Sequence, residues 1–133
     1  MPTYTEISKD GRVYFTEDEL KCKGSGKLIL ADGFAEKLLE LRLKWNKPMT
    51  PTSVCRSKEH NEKVGGAPKS QHICDDERNG CFAIDIVSND ANERVQLVKL
   101  AFELGWSVGI AKKGFIHLDM RTLRGEPQVI FGY

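Results

Sequence analysis

Apolar residues recur at helical steps in two stretches of the chain and gather into short runs of strand length elsewhere. Phe34, Leu38, Leu41 and Trp45 mark one buried face, which predicts a helix over 32–45 capped by Asp32 and ended by Pro48. Val95, Val98 and Phe102, with Leu97, Ala101 and Leu104 beside them, mark a second helix that starts at Ser88 or Asn89 and closes at Gly105. Two shorter helices are expected. Thr16 caps one over 16–21, with acidic residues in its first turn, and Ser57 caps another over 57–64 that stops at Gly65-Gly66.

Residues 50–55 are rich in β-branched side chains, and 82–87 form an apolar run interrupted only by Asp85. Residues 106–110 and 115–120 read as two strands joined by a polar turn over 111–114, and 128–131 as an edge strand. Helices come early and strands late. That order predicts an α+β fold, one domain over 1–133 with a central, mainly antiparallel sheet flanked by helices.

Composition narrows the partners. Of 133 residues, 20 are basic and 19 acidic, with no basic block, so overall charge gives a nucleic-acid partner no support. Apolar runs fall well short of the roughly 18 residues of a membrane span. The first residues lack a charged start followed by an apolar stretch, so synthesis in a cytoplasm without a secretory signal is expected. A monomer is expected. Cys22, Cys55, Cys74 and Cys81 are too scattered for a disulfide framework. Cys74 and Cys81 bracket a short polar loop where a bridge is conceivable under oxidising conditions, with free thiols the expectation.

Three polar residues stand where apolar ones belong or beside one another on a strand. Asp85 interrupts Phe82-Ala83-Ile84-Asp85-Ile86-Val87; a buried carboxylate there needs a metal or a charged partner, whereas a strand-end Asp facing solvent does not. His117 and Asp119 stand two apart in Phe115-Ile116-His117-Leu118-Asp119-Met120 and so share a strand face. His72 follows the loop that begins at Gly65-Gly66. Two imidazoles and one carboxylate form a known catalytic zinc set that leaves a position for water.

Several motifs occur in order: Arg56-Ser57, His60-Asn61, Gly65-Gly66, Ser70-Gln71-His72, Ala83-Ile84-Asp85 and His117-Leu118-Asp119. Together they resemble the zinc D-alanyl-D-alanine carboxypeptidase and murein endopeptidase family, which shares its metal site with the hedgehog domain. The resemblance runs over residues 13–122, and the opening Phe15-Thr16-Glu17-Asp18-Glu19-Leu20-Lys21-Cys22 is similar to that of phage members. It implies a hedgehog-like fold and Zn2+ held by His72, Asp85 and His117. It also implies Arg56 on the substrate carbonyl or carboxylate, and a peptidoglycan stem peptide as substrate.

The bond cut would be a D-Ala-D-Ala or an L-Ala-D-Glu-type linkage, and the setting a phage endolysin or virion lysin acting at the cell wall. A non-catalytic zinc-binding module and a phage structural protein are the rival readings. Two departures stand out. Residues 73–80 lengthen the spacing between His72 and Asp85. The positions before the second His where family branches carry an acid hold Ala111 and Gly114. Asp119 is then a candidate for general base or for orienting a ligand, and Asp75, Asp76 and Glu77 are further candidates for the base. His60 is expected in the first turn of its helix, outside the catalytic set.

Overall fold

The computed structural model of the chain describes residues 6–75, 80–111 and 114–132. Periodicity predicts nothing before residue 16, yet β1 (Ile7–Lys9) and β2 (Arg12–Phe15) form an antiparallel hairpin. Its turn is Asp10-Gly11, both at positive φ (53° and 80°), the backbone that a two-residue hairpin of this hand requires and that Asp-Gly supplies. Phe15 at its end is fully buried. Helix α1 (Glu17–Leu20) follows with a complete capping box: Thr16 accepts from the Glu19 N–H, and the Glu19 carboxylate accepts from the Thr16 N–H.

Helix α2 (Phe34–Trp45) buries Phe34, Leu38 and Leu41 as the spacing requires. Its N-cap is Gly33 in the left-handed conformation, and no side chain caps it, so Asp32 does not play the predicted role. The strand predicted over 50–55 shortens to β3 (Pro51–Ser53), and α3 (Lys58–Lys63) starts under the Ser57 hydroxyl, which accepts from the His60 N–H at 3.1 Å. Strand β4 (Ala83–Val87) leads to α4 (Ala91–Glu103), capped by Asp90 rather than by Ser88 or Asn89.

The buried stripe of α4 runs through Leu97 and Ala101; Val95 is 58% exposed and Phe102 38%. Val95 precedes Leu97 by two positions, about 200° around the helix, so the two cannot share a face. Of the predicted face of Val95, Val98 and Phe102, Val98 packs against the core, whereas Val95 and Phe102 lie outside the buried stripe.

Strands β5 (Ser107–Ile110) and β6 (Phe115–Asp119) pair antiparallel. A single 3-10 turn (Arg121–Arg124) then returns the chain to β7 (Ile130–Gly132), which pairs parallel to β5. The larger sheet has the order β3-β4-β6-β5-β7. The fold is α+β as expected, with one parallel pairing in an otherwise antiparallel sheet. The core gathers Ile84, Ile86, Val108, Ile116 and Leu118 from the strands against α2 and α4, with Trp106 edge-on to Phe34 at 5.8 Å.

All four cysteines are buried and free, and the thiol against Cys81 is that of Cys55, Sγ to Sγ 3.1 Å. No helix among the described residues is long and apolar enough to cross a membrane. The acids Asp76 and Glu77, and part of the turn at 111–114, lie outside the described residues.

Candidate metal centre

Strand alternation sends Ile116 and Leu118 into the core and leaves His117 and Asp119 on the opposite face. Register then builds a row across the sheet: Ser53 opposite Asp85, Asp85 opposite His117, His117 opposite Gly109, and Gly109 beside Phe131. Gly109 has no side chain, so the Phe131 ring comes within 5.5 Å of the His117 ring, centroid to centroid.

His72 reaches this row from a loop. Its N–H donates to the Ser70 hydroxyl at 3.2 Å, and its carbonyl accepts from the Arg56 N–H at 2.9 Å. The Phe82 N–H donates to the Gln71 carbonyl at 2.9 Å, tying the loop to the start of β4. Beyond it, the Asp75 carboxylate accepts from Lys27 Nζ at 2.8 Å and the Lys58 N–H at 2.6 Å.

His72, Asp85 and His117 converge as a group able to hold a metal ion. Asp85 Oδ1 lies 3.2 Å from His72 Nε2 and 2.9 Å from His117 Nδ1. The two rings are turned by different partners. His72 Nδ1 meets the Val54 carbonyl at 2.7 Å, which requires the proton on Nδ1 and leaves Nε2 as the donor atom. His117 Nε2 donates to Asp119 Oδ2 at 2.8 Å, which turns Nδ1 inward.

The decisive detail is His72 Nε2, which is buried and, with its ring proton on Nδ1, faces Asp85 Oδ1 at 3.2 Å as one acceptor facing another, without a hydrogen bond. A buried nitrogen left this way is costly, and a cation among the three donors satisfies it. Donors around tetrahedral zinc, bound at about 2.0–2.1 Å, stand about 3.3 Å apart, close to the two spacings to Asp85, and all three donors lie within 4.8 Å of one another. The residues present fit the ion.

Electrostatics agree. Burial pushes His72 below the ordinary histidine value, against the pull of Asp85, so its ring is kept neutral as a ligand must be. Burial alone would raise Asp85, but the neighbouring His117 and His72 rings outweigh it and hold the carboxyl well below the usual range. For His117 burial is outweighed by Asp119 and Asp85, which raise it.

Asp119 is 0% exposed and fully engaged. Oδ1 accepts from the Arg121 N–H and Nε, while Oδ2 accepts from His117 and Arg121 Nη2. Burial would raise this carboxyl as well, but the bonds from Arg121 and His117 lower it to about 2.

Arg56 borders the same group. Its Nε donates to Ser53 Oγ at 3.1 Å and Nη1 to Asn61 Oδ1 at 3.2 Å, with Nη2 3.5 Å from Asp85 Oδ2. Gly66 makes this clamp possible, since a Cβ there would stand 2.1 Å from Asn61 Oδ1 and 3.0 Å from Arg56 Nη1. A cleft of about 660 Å³ opens beside His117, lined among others by Lys69, Gln71, Arg121, Glu126 and Phe131. Sequence reading does not single out Ser53, Arg121, Gln71, Glu126 or Phe131. Arg121 carries a signal in hindsight, two residues beyond a buried carboxylate that needs a cation.

An α+β domain that gathers two histidines and an aspartate beside one sheet face has the donor set that metal-dependent hydrolases use. The chain is a member of the peptidase M15 family, whose model matches residues 13–119, from β2 to the end of β6. That family consists of zinc peptidases of the D-Ala-D-Ala carboxypeptidase-like kind. No curated protein and no solved structure matches the chain.

Proposed function

We propose that this protein is a zinc peptidase that cleaves a peptide bond in the stem peptide of peptidoglycan, with His72, Asp85 and His117 holding the metal. The observation that carries the proposal is the partnerless Nε2 of His72, aimed at two further donors; family membership supplies the reaction class. Zinc bound there supplies a Lewis acid that polarises the scissile carbonyl and lowers the pKa of water.

The chain's own residues do the rest. Asp119 holds the Nε2–H of His117, which leaves Nδ1, on the side of Asp85, as the nitrogen that would hold the ion. Its saturated, buried carboxylate favours this orienting role over that of general base. Arg56 is fixed by Ser53 and Asn61, and its guanidinium is placed to take the negative charge that develops on the carbonyl oxygen.

The likeness of residues 15–22 to phage members supports a wall lysin of the phage kind, and the substrate is a D-Ala-D-Ala or L-Ala-D-Glu-type bond. The test is digestion of purified walls and of synthetic stem peptides, with fragments identified by mass. Release of a stem-peptide fragment, lost with Asp85→Ala, supports the proposal. Intact walls and peptides in the presence of zinc-loaded protein would favour a metal-binding module, a reading to which Ala111 and Gly114 in the acid positions lend weight.

A further inference from the structure

Peptide hydrolysis needs a group that takes a proton from the attacking water and returns one to the departing amine. The positions where the family resemblance places an acid hold Ala111 and Gly114, and Asp119 has both oxygens engaged. Asp75 is bound by Lys27 and the Lys58 N–H, on the loop beyond Cys74. The cleft beside His117 nevertheless contains a carboxylate, and among the described residues lining it that carboxylate is Glu126 alone.

The placement of Glu126 is built into the chain. The 3-10 turn Arg121–Arg124 ends at Gly125, whose φ of 83° reverses the backbone. The Glu126 N–H then donates to the Arg121 carbonyl at 3.2 Å. This carries Glu126 from the end of β6 back over the cleft. Its Oε2 accepts from Gln71 Nε2 at 3.4 Å, and Gln71 is the residue before His72. The carboxylate is thus tied to the loop that presents one metal donor and shares a cleft with another, while Glu126 remains half-buried and open to substrate. Lys69, His117 and Arg121 are the other charged or titratable groups lining this cleft.

We propose that Glu126 is the proton-transfer residue of the cleft, supplied from downstream of the second histidine rather than upstream. This inference rests on the peptidase reading above. The Glu126 carboxylate takes the proton as a water O–H bond breaks and the new C–O bond forms. It gives that proton to the amide nitrogen as the C–N bond breaks, so one water is consumed and the carboxylate is regenerated. His60 is the rival. It lines a separate pocket with Lys21, Lys23 and Arg56, and its ring is packed on Gly24, where a Cβ would stand 2.3 Å from Nδ1.

The test compares wild type, Glu126→Gln, Glu126→Asp and His60→Gln. Zinc content, thermal midpoint, co-sedimentation with purified walls and the pH profile of stem-peptide cleavage are measured for each. Glu126→Gln is expected to keep its zinc, midpoint and wall binding while kcat falls about 10²–10⁴-fold with little change in KM. The acid limb of the pH profile should vanish with it and return in part with Glu126→Asp, and His60→Gln should retain that limb.

Cleavage by Glu126→Gln within about threefold of wild type, with the acid limb intact, overturns the inference and leaves the peptidase reading standing. So does a rise in KM alone, a loss of zinc or of the fold in Glu126→Gln, or an acid limb that disappears with His60→Gln. A zinc-loaded wild type that cleaves no stem peptide overturns the peptidase reading and this inference with it.

Discussion

His72 and His117 present different ring nitrogens to the same carboxylate, and each is set by what its other nitrogen bonds: the Val54 carbonyl for one, Asp119 for the other. Asp119→Ala should therefore weaken zinc binding about 10–100-fold, read by competition with a chelating dye, although Asp119 is not itself a donor. The same carboxylate makes the metal-free fold sensitive to acid. Its folded pKa of about 2 lies below the ordinary 3.8, so its stabilisation is present above 3.8 and lost as pH falls through about 2. The size is on the order of 2 kcal/mol, and urea melts of metal-free wild type and Asp119→Asn should converge at the acid end.

Arg56→Lys keeps the charge but loses the fork that joins Ser53, Asn61 and Asp85. It should cost about 10²-fold in kcat while zinc content holds. Asp85 and His117 are legible in the sequence because they break apolar strands. Gln71 and Glu126 are not, because polar side chains in loops are the rule and only the folded chain shows which of them face a cleft.

Elements with strong local signals appear where the sequence predicts them: the Thr16 cap of α1, the Ser57 cap of α3, and the apolar face of α2. The β1–β2 hairpin had its signal in Asp10-Gly11, but its strands are short and largely exposed and so carry little periodicity. Sequence alone does not single out the buried stripe of α4, because apolar residues surround that helix on more than one side, and packing against α2, β5 and β6 chooses the side that is buried.

Gly66 links element to site. Its substitution by Ala would push Asn61 away from the Arg56 clamp, so Gly66→Ala should lower kcat/KM by about tenfold or more with zinc content unchanged. Equal activity in the variant would show that Asn61 does not hold Arg56 in place.

For the whole molecule, the pattern of elements and the family resemblance predicted an α+β fold, although the chain opens on a hairpin and then alternates helices with strands rather than placing helices first. Strand order was not legible, because β3-β4-β6-β5-β7 is set by contacts between distant segments, and the parallel return of β7 depends on a 3-10 turn without a distinctive apolar pattern. His72, Asp85 and His117 come from three such segments, the loop before β4 and strands β4 and β6, so an ion held there would bind the folded chain alone. Zinc at about 1,000 times its Kd should add about 4 kcal/mol to stability, seen as a rise in thermal midpoint that a chelator reverses and that His72→Ala lacks.

The most direct measurement is the zinc content of purified wild type and His117→Ala by elemental analysis, with the turbidity of purified cell walls followed in the same samples. Wild type should carry about one zinc per chain, lost in the variant together with wall clearing. Wild-type protein that retains no zinc after dialysis against zinc-free buffer would contradict the zinc site.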